Sequence, residues 1–143
     1  MTHHFLFHEG QWVGSGEVEV PLSSESIQFQ TKWTVSPLDE QRFRAIQHVE
    51  IIGQESMVNT FTITKKLEGE FHVFLENESL GVFSGDGVSD ENQLAWEFAH
   101  YGSLEGMEVY ERTKEDAYSF RGEYLASNGD TTTIRGSMVK MTV

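Results

Sequence analysis

Ser26-Ile27-Gln28-Phe29-Gln30-Thr31-Lys32-Trp33-Thr34-Val35-Ser36 carries mainly apolar side chains at odd positions and polar ones at even positions. Successive side chains of an extended strand point to opposite faces, so this alternation predicts a strand with one face in a core and the other in water. Similar runs recur almost to the C-terminus, separated by short polar turns. The pattern predicts an antiparallel meander that closes around an interior.

Upstream, Gln11 to Val20 reads as a strand with Trp12, Gly14, Gly16, Val18 and Val20 on one face, its two glycines permitting a bend. Pro21 to Glu25 turns the chain. Downstream, Arg42 to Ile52 puts Phe43, Ala45, Gln47, Val49 and Ile51 in phase. A helix competes over 37–52, with Ser36 as N-cap, Pro37 at its first position and Gly53 at its end; the β-branched end favours the strand. Met57 to Lys65, Glu70 to Glu76 and Leu80 to Gly85 follow, and Asp86-Gly87 with Ser89 to Asn92 predicts a loop. Gln93 to Tyr101 is a further strand, with a helix capped by Ser89 as its rival over 90–101. Leu104 to Arg112, Ala117 to Leu125 and Thr131 to Val143 complete the set; the Asn128-Gly129 pair favours a tight turn. The expected class is all-β, a single antiparallel up-and-down β-barrel of about ten strands, because short consecutive hairpins leave no long Greek-key return.

The chain has 143 residues, which suits one domain spanning 1–143. It holds no cysteine, which excludes disulfides and thiolate chemistry and suits a reducing compartment. Ten Lys and Arg stand against 23 Asp and Glu, a formal net charge of -13. Such a field repels nucleic acid and anionic lipid surfaces, so neither nucleic acid nor membrane is expected as a partner. The first nine residues lack the basic and apolar regions of a signal peptide, and no run approaches the roughly 20 apolar residues of a membrane span. A cytoplasmic protein is the expectation.

Gly10-Gln11-Trp12-Val13-Gly14-Ser15-Gly16, opening a meander of this length, resembles the calycin superfamily, and most of all its ten-stranded barrels related to fatty-acid-binding proteins and nitrobindin. The resemblance implies a lipocalin-type barrel whose interior takes a small molecule. It also implies that Trp12 closes the barrel floor beside a basic residue from the last strands, Arg135 or Arg121. The departures are equally specific: Pro21 to Ser26 is too short for a two-helix lid, and His100 is the last histidine, so the C-terminal haem ligand of nitrobindin-like proteins is missing.

The inward phase is aromatic, with Phe29, Trp33, Phe43, Phe61, Phe71, Trp96, Phe98 and Phe120, interrupted by Gln47, Asn59 and His100. Aromatic walls with a few convergent polar groups suit a small-molecule site, although aromatics also fill plain cores. The expected ligand contacts are Phe29, Trp33, Phe43, Gln47, Asn59, Phe61, Trp96, Phe98, His100 and Arg135. Arg135 has two readings, a carboxylate binder or a cation-π partner of Trp12. No cofactor is expected, and His3, His4 and His8 lie in a terminus expected to fray, without metal-ligand spacing.

The leading reading is a carrier or sensor for a small hydrophobic molecule. An enzyme pairing His100 with Tyr118 or Tyr124 is one alternative. A packed barrel that docks a protein or forms a homodimer through Val13, Ile46, Phe74 and Tyr110 is the other.

Overall fold

Ten antiparallel strands follow one another along the chain: β1 (Gly10–Glu19), β2 (Ser26–Pro37), β3 (Arg42–Ile51), β4 (Met57–Lys65), β5 (Glu70–Asn77), β6 (Gly81–Ser89), β7 (Gln93–Phe98), β8 (Leu104–Lys114), β9 (Ala117–Ala126) and β10 (Thr131–Lys140). The computed structural model describes residues 4–20, 25–98, 104–126 and 129–142. Each strand pairs with its sequence neighbours, and β1 also pairs with β10, so the meander closes into a barrel with no free edge. Closure is in register along eight residue pairs, from Trp12 beside Lys140 to Glu19 beside Thr133.

Both segments with a helical rival are strands. Phe43, Ala45, Gln47 and Val49 of β3 are buried and alternate with exposed or half-buried neighbours, and each pairs across to β4. A helix over the same residues would scatter these inward groups around its circumference. β7 likewise buries Leu94, Trp96 and Phe98. The expected loop at Asp86-Gly87 is instead the middle of β6, where Gly87 faces inward and Asp86 outward beside Lys66 and His72. A Cβ on Gly87 would stand 2.1 Å from the Phe71 ring, so the glycine is there to let that ring lie against the wall. The inward glycines of β8 and β9 serve the same purpose: Tyr124 lies over Gly106, and Glu108 over Gly122.

Odd-numbered strands run from one end of the barrel to the other and even-numbered strands return, so the two ends differ in what closes them. The first end carries the turns after β2, β4, β6 and β8, and a 3-10 turn at Phe5–Phe7 enters it ahead of β1. Phe5 and Leu6 are fully buried there, which corrects the expectation of a frayed terminus from His4 onward; His3 lies outside the described residues. Phe5 packs on Trp12, Trp33, Tyr110 and Tyr118, while Phe7 packs edge-on against Phe43 and Phe71. Burying such side chains contributes roughly 1.5–3 kcal/mol each, enough to hold a short segment against its loss of freedom.

Polar groups at this end are matched locally. The His4 Nε2 lies 2.5 Å from the Asp90 carbonyl, which only accepts, so this nitrogen carries the proton. Nδ1 then accepts from the Tyr118 hydroxyl at 2.8 Å, and that hydroxyl accepts in turn from the Phe5 backbone N–H. Trp12 does close the floor, as the resemblance implies, with its ring edge-on to Tyr118. The cation beside it is not Arg135 or Arg121. Arg112 of β8 instead lies 5.0 Å over the ring of Tyr118, which itself packs on Trp12.

Candidate functional site in the open half of the barrel

Along the inner wall, burial is greatest in the middle layers and falls toward the end where β1, β3, β5, β7 and β9 finish, while at the floor Trp12 and Phe43 keep 5% and 8% of their surface. Trp33, Ala45, Ile63, Val73, Leu94 and Tyr118 are closed off completely. Further along the same strands Phe29, Gln47, Val49, Leu75, Phe98 and Phe120 keep 5–9% of their surface accessible. Beyond them Val18, Ile51, Met57, Asn59, Phe83, Tyr124 and Ile134 are half-buried. Inward side chains that retain accessible surface border space, and here the space opens toward the end where β1, β3, β5, β7 and β9 finish.

Two polar arrays face this space from different walls. On the β2 to β5 wall, four side chains form a ladder: Gln47 Nε2 donates to Thr31 Oγ1 at 3.0 Å, Asn59 Nδ2 to Gln47 Oε1 at 2.9 Å, and Asn77 Nδ2 to Asn59 Oδ1 at 2.6 Å. Asn77 Oδ1 ends it by accepting the backbone N–H groups of Ser79 and Leu80, both at 2.9 Å. The ladder follows from register, since Gln47 sits beside Asn59 and Asn59 beside Asn77. Every carboxamide oxygen in it accepts a hydrogen bond, while each amide group has a second N–H to offer.

The opposite wall holds an acid. Glu108 of β8 is 5% exposed, and its Oε1 accepts from the Tyr110 hydroxyl at 2.8 Å while its Oε2 accepts from the Tyr124 hydroxyl. No cation pairs with it among the described residues. Burial pushes its carboxyl above the usual range, against the opposing pull of the two phenols. Both tyrosines are pushed well above their ordinary value, by burial first and then by the neighbouring carboxylate. Beside Glu108 in the register is Trp96, which stacks on Tyr110 with centroids 5.1 Å apart and planes 19° from parallel. The Nε1 donors of Trp96 and Trp33 are buried and meet no acceptor among the described residues.

Of the residues expected to contact a ligand, Phe29, Gln47, Asn59 and Phe98 line the open half. Trp33, Phe61 and Trp96 form the aromatic layer beneath it, with Trp33 and Phe61 centroids 5.1 Å apart. Phe43 belongs to the floor, against Phe7. Arg135 is on the outer wall with its side chain 68% exposed, paired with Glu19 at 3.0 Å and Glu17 at 3.8 Å. Ile134 and Met138 take the inner face of β10 instead, because closure with β1 sets their phase beside Val18 and Gly14. His100 lies outside the described residues.

Neither tyrosine of the enzymatic alternative stands alone as a reactive group. Tyr118 donates to His4 and Tyr124 to Glu108, while the His100 that either would need as its partner lies outside the described residues. Tyr110, expected outside as part of a docking face, is inside and 1% exposed.

Glu108 was missed by the alternation argument, since Met107 and Val109 look like the inward pair of β8. Gly106 was the available signal: bulky rings cross glycines on the inner wall, and Gly106 shares a phase with Glu108 and Tyr110. Among the described residues no cluster of His, Asp and Glu could hold a metal. No helix among them is long and apolar enough to cross a membrane.

No family model matches the chain, and no curated protein matches it. Solved structures do. The crystal structure of Rv2717c from M. tuberculosis is similar at 12% identity and a TM-score of 0.72, over 94% of this chain and 92% of that one. The S-type phycobiliprotein lyase CPES from Guillardia theta is similar at 10% identity and a TM-score of 0.71, over 94% of this chain and 89% of that one. EF1p2_mFAP2b, solved bound to DFHBI, follows at 11% identity and a TM-score of 0.53, over 93% of both chains. These likenesses show the fold, a closed antiparallel barrel of ten strands.

Proposed function

We propose that this protein is a binding protein, a carrier or sensor, that holds one small and largely hydrophobic molecule in the open half of its barrel. The observation that carries the reading is the gradient of burial along the inner wall. Phe29, Val49, Leu75, Phe98 and Phe120 keep accessible surface above an aromatic layer, Trp33, Phe61 and Trp96, that is at most 2% exposed. Aromatic and aliphatic walls supply the apolar contact, and Gln47 and Asn59 supply spare amide N–H groups that orient a polar end. The neighbour solved with DFHBI supports the reading as an instance of a small molecule held by a barrel of this type. A cysteine-free composition supports a reducing compartment such as the cytoplasm.

The test is binding of N-phenyl-1-naphthylamine, an uncharged fluorescent probe, with native mass spectrometry of the purified protein alongside. The expected result is saturable binding of one probe per chain, reduced at least tenfold by Val49→Trp, which fills the space from β3. A probe that does not bind, or that binds Val49→Trp equally well, overturns the proposal.

A further inference from the structure

Glu108 is an expensive residue where it stands. Two phenols bind its carboxylate, yet a buried ionised carboxylate without a cation still costs several kcal/mol. An uncharged glutamine would fill the same place and accept one of the same hydrogen bonds. Over that neutral isostere the acid gains one phenol hydrogen bond, at the desolvation cost of a charge. It also adds negative charge inside a barrel, on a wall of π faces: Tyr110 is stacked on Trp96, and its ring centroid is 5.3 Å from that of Phe120. Each oxygen has one phenol donor and keeps lone-pair capacity for another. Ring faces and a carboxylate on one wall attract the same kind of group, a flat cation.

We propose that Glu108 is the specificity-determining residue of the barrel, selecting an aromatic ligand that bears a protonated nitrogen and seating that nitrogen against the carboxylate between Tyr110 and Tyr124. This rests on the carrier reading above and adds the chemical class of the cargo. Tyr110 and Tyr124 hold the two oxygens in place, and Trp96 beside them brings a buried N–H with no acceptor among the described residues. The raised affinity of Glu108 for its proton fits this arrangement. Burial disfavours the bare charge there, and an arriving cation offsets that cost. Tyr110 and Tyr124 are the titratable groups that act on Glu108 among the described residues.

Three probes with one ring system separate the possibilities by calorimetry: 1-naphthylmethylamine, which is cationic at neutral pH, 1-naphthalenemethanol, which is neutral, and 1-naphthaleneacetate, which is anionic. The expected order in the wild type is amine over alcohol by at least tenfold, and alcohol over carboxylate by at least tenfold. Glu108→Gln is expected to lower amine affinity at least tenfold while changing alcohol affinity less than threefold. A second measurement needs no variant: amine affinity rises as pH climbs above the ordinary glutamate value of 4.5, while alcohol affinity stays level. Alcohol binding as tightly as amine to the wild type overturns the inference and leaves the carrier reading standing. Failure of all three probes and of N-phenyl-1-naphthylamine overturns both.

Discussion

The two ends of this barrel are built from the same kinds of residue and arrive at opposite states. At the floor, Phe5, Phe7, Trp12, Phe43, Phe71 and Tyr118 close on one another, and the polar atoms among them answer each other through His4, Asp90 and the Tyr118 hydroxyl. Toward the open end Phe29 packs on Phe120 and Phe83 on Phe98, and Gln47, Asn59 and Glu108 keep capacity for a further partner. The difference comes from four residues ahead of β1. A barrel of ten strands is too wide for its wall residues alone to fill at every level, and here Phe5, Leu6 and Phe7 from outside the ring fill one end.

The largest effect expected from breaking this contrast is at the seal. Phe5→Ala should cost about 3–5 kcal/mol in urea denaturation, because the cavity it leaves is walled by four aromatic rings. Phe83→Ala, at the half-exposed open end, should cost about 1 kcal/mol. Equal costs would mean that the two ends are packed alike.

Glycines sharpen the same comparison at a smaller scale. Gly87→Ala drives a methyl into the fully buried Phe71 ring and should cost about 1–3 kcal/mol, read as a lowered thermal midpoint. Gly106→Ala meets the half-buried Tyr124 ring, which has open space to turn into. Its stability cost should be the lesser of the two, and its main effect should be weaker binding through the displaced phenol.

The buried titratable groups of the two ends should respond to pH with opposite signs. His4 is held below its ordinary value of 6.5, by burial first and also by the nearby Arg112 cation, partly offset by its bond to the Asp90 carbonyl. The unfolded chain therefore binds more protons than the folded one, and the contribution of His4 is present above pH 6.5 and lost as pH falls through the folded value. Glu108 is raised, so its contribution is present below its ordinary value of 4.5 and lost as pH rises through the folded value. Denaturation midpoints across pH 4–8 should show His4→Asn flattening the acid side and Glu108→Gln flattening the other. The smallest effect belongs to the outer wall. Arg135→Ala removes exposed ion pairs with Glu17 and Glu19, and should change stability by less than about 1 kcal/mol and probe binding not at all.

Much of this architecture was legible in period-two alternation, because a strand with one buried face must repeat every second residue. The runs around Phe29, Phe61 and Phe71 therefore gave both their strands and their inward faces. β8 misled for a physical reason: Met107 and Val109 lie outside, where Val109 is covered by its neighbours, while the inward phase carries a glycine, an acid and a tyrosine. A polar residue placed inside for its chemistry is invisible to a rule that equates inside with apolar. Arg135 was ambiguous because Ile134 and Val139 compete in adjacent phases, and only pairing with β1 decides between them. The segment at Phe5–Phe7 has no alternation to read, being a single turn held by tertiary contact.

That turn also orders events in time. Phe5, Leu6 and Phe7 precede every strand in the chain, so they leave the ribosome before any of them, yet Tyr118 is 114 positions away from His4 and Trp12 pairs with Lys140. Their niche exists only once β9 and β10 have been made and the ring has joined. Contacts so distant in sequence predict folding on the millisecond-to-second scale, slow for a chain of this size. Throughout synthesis three large apolar side chains wait in water, which makes the nascent barrel, more than the finished one, the form most in need of protection from aggregation.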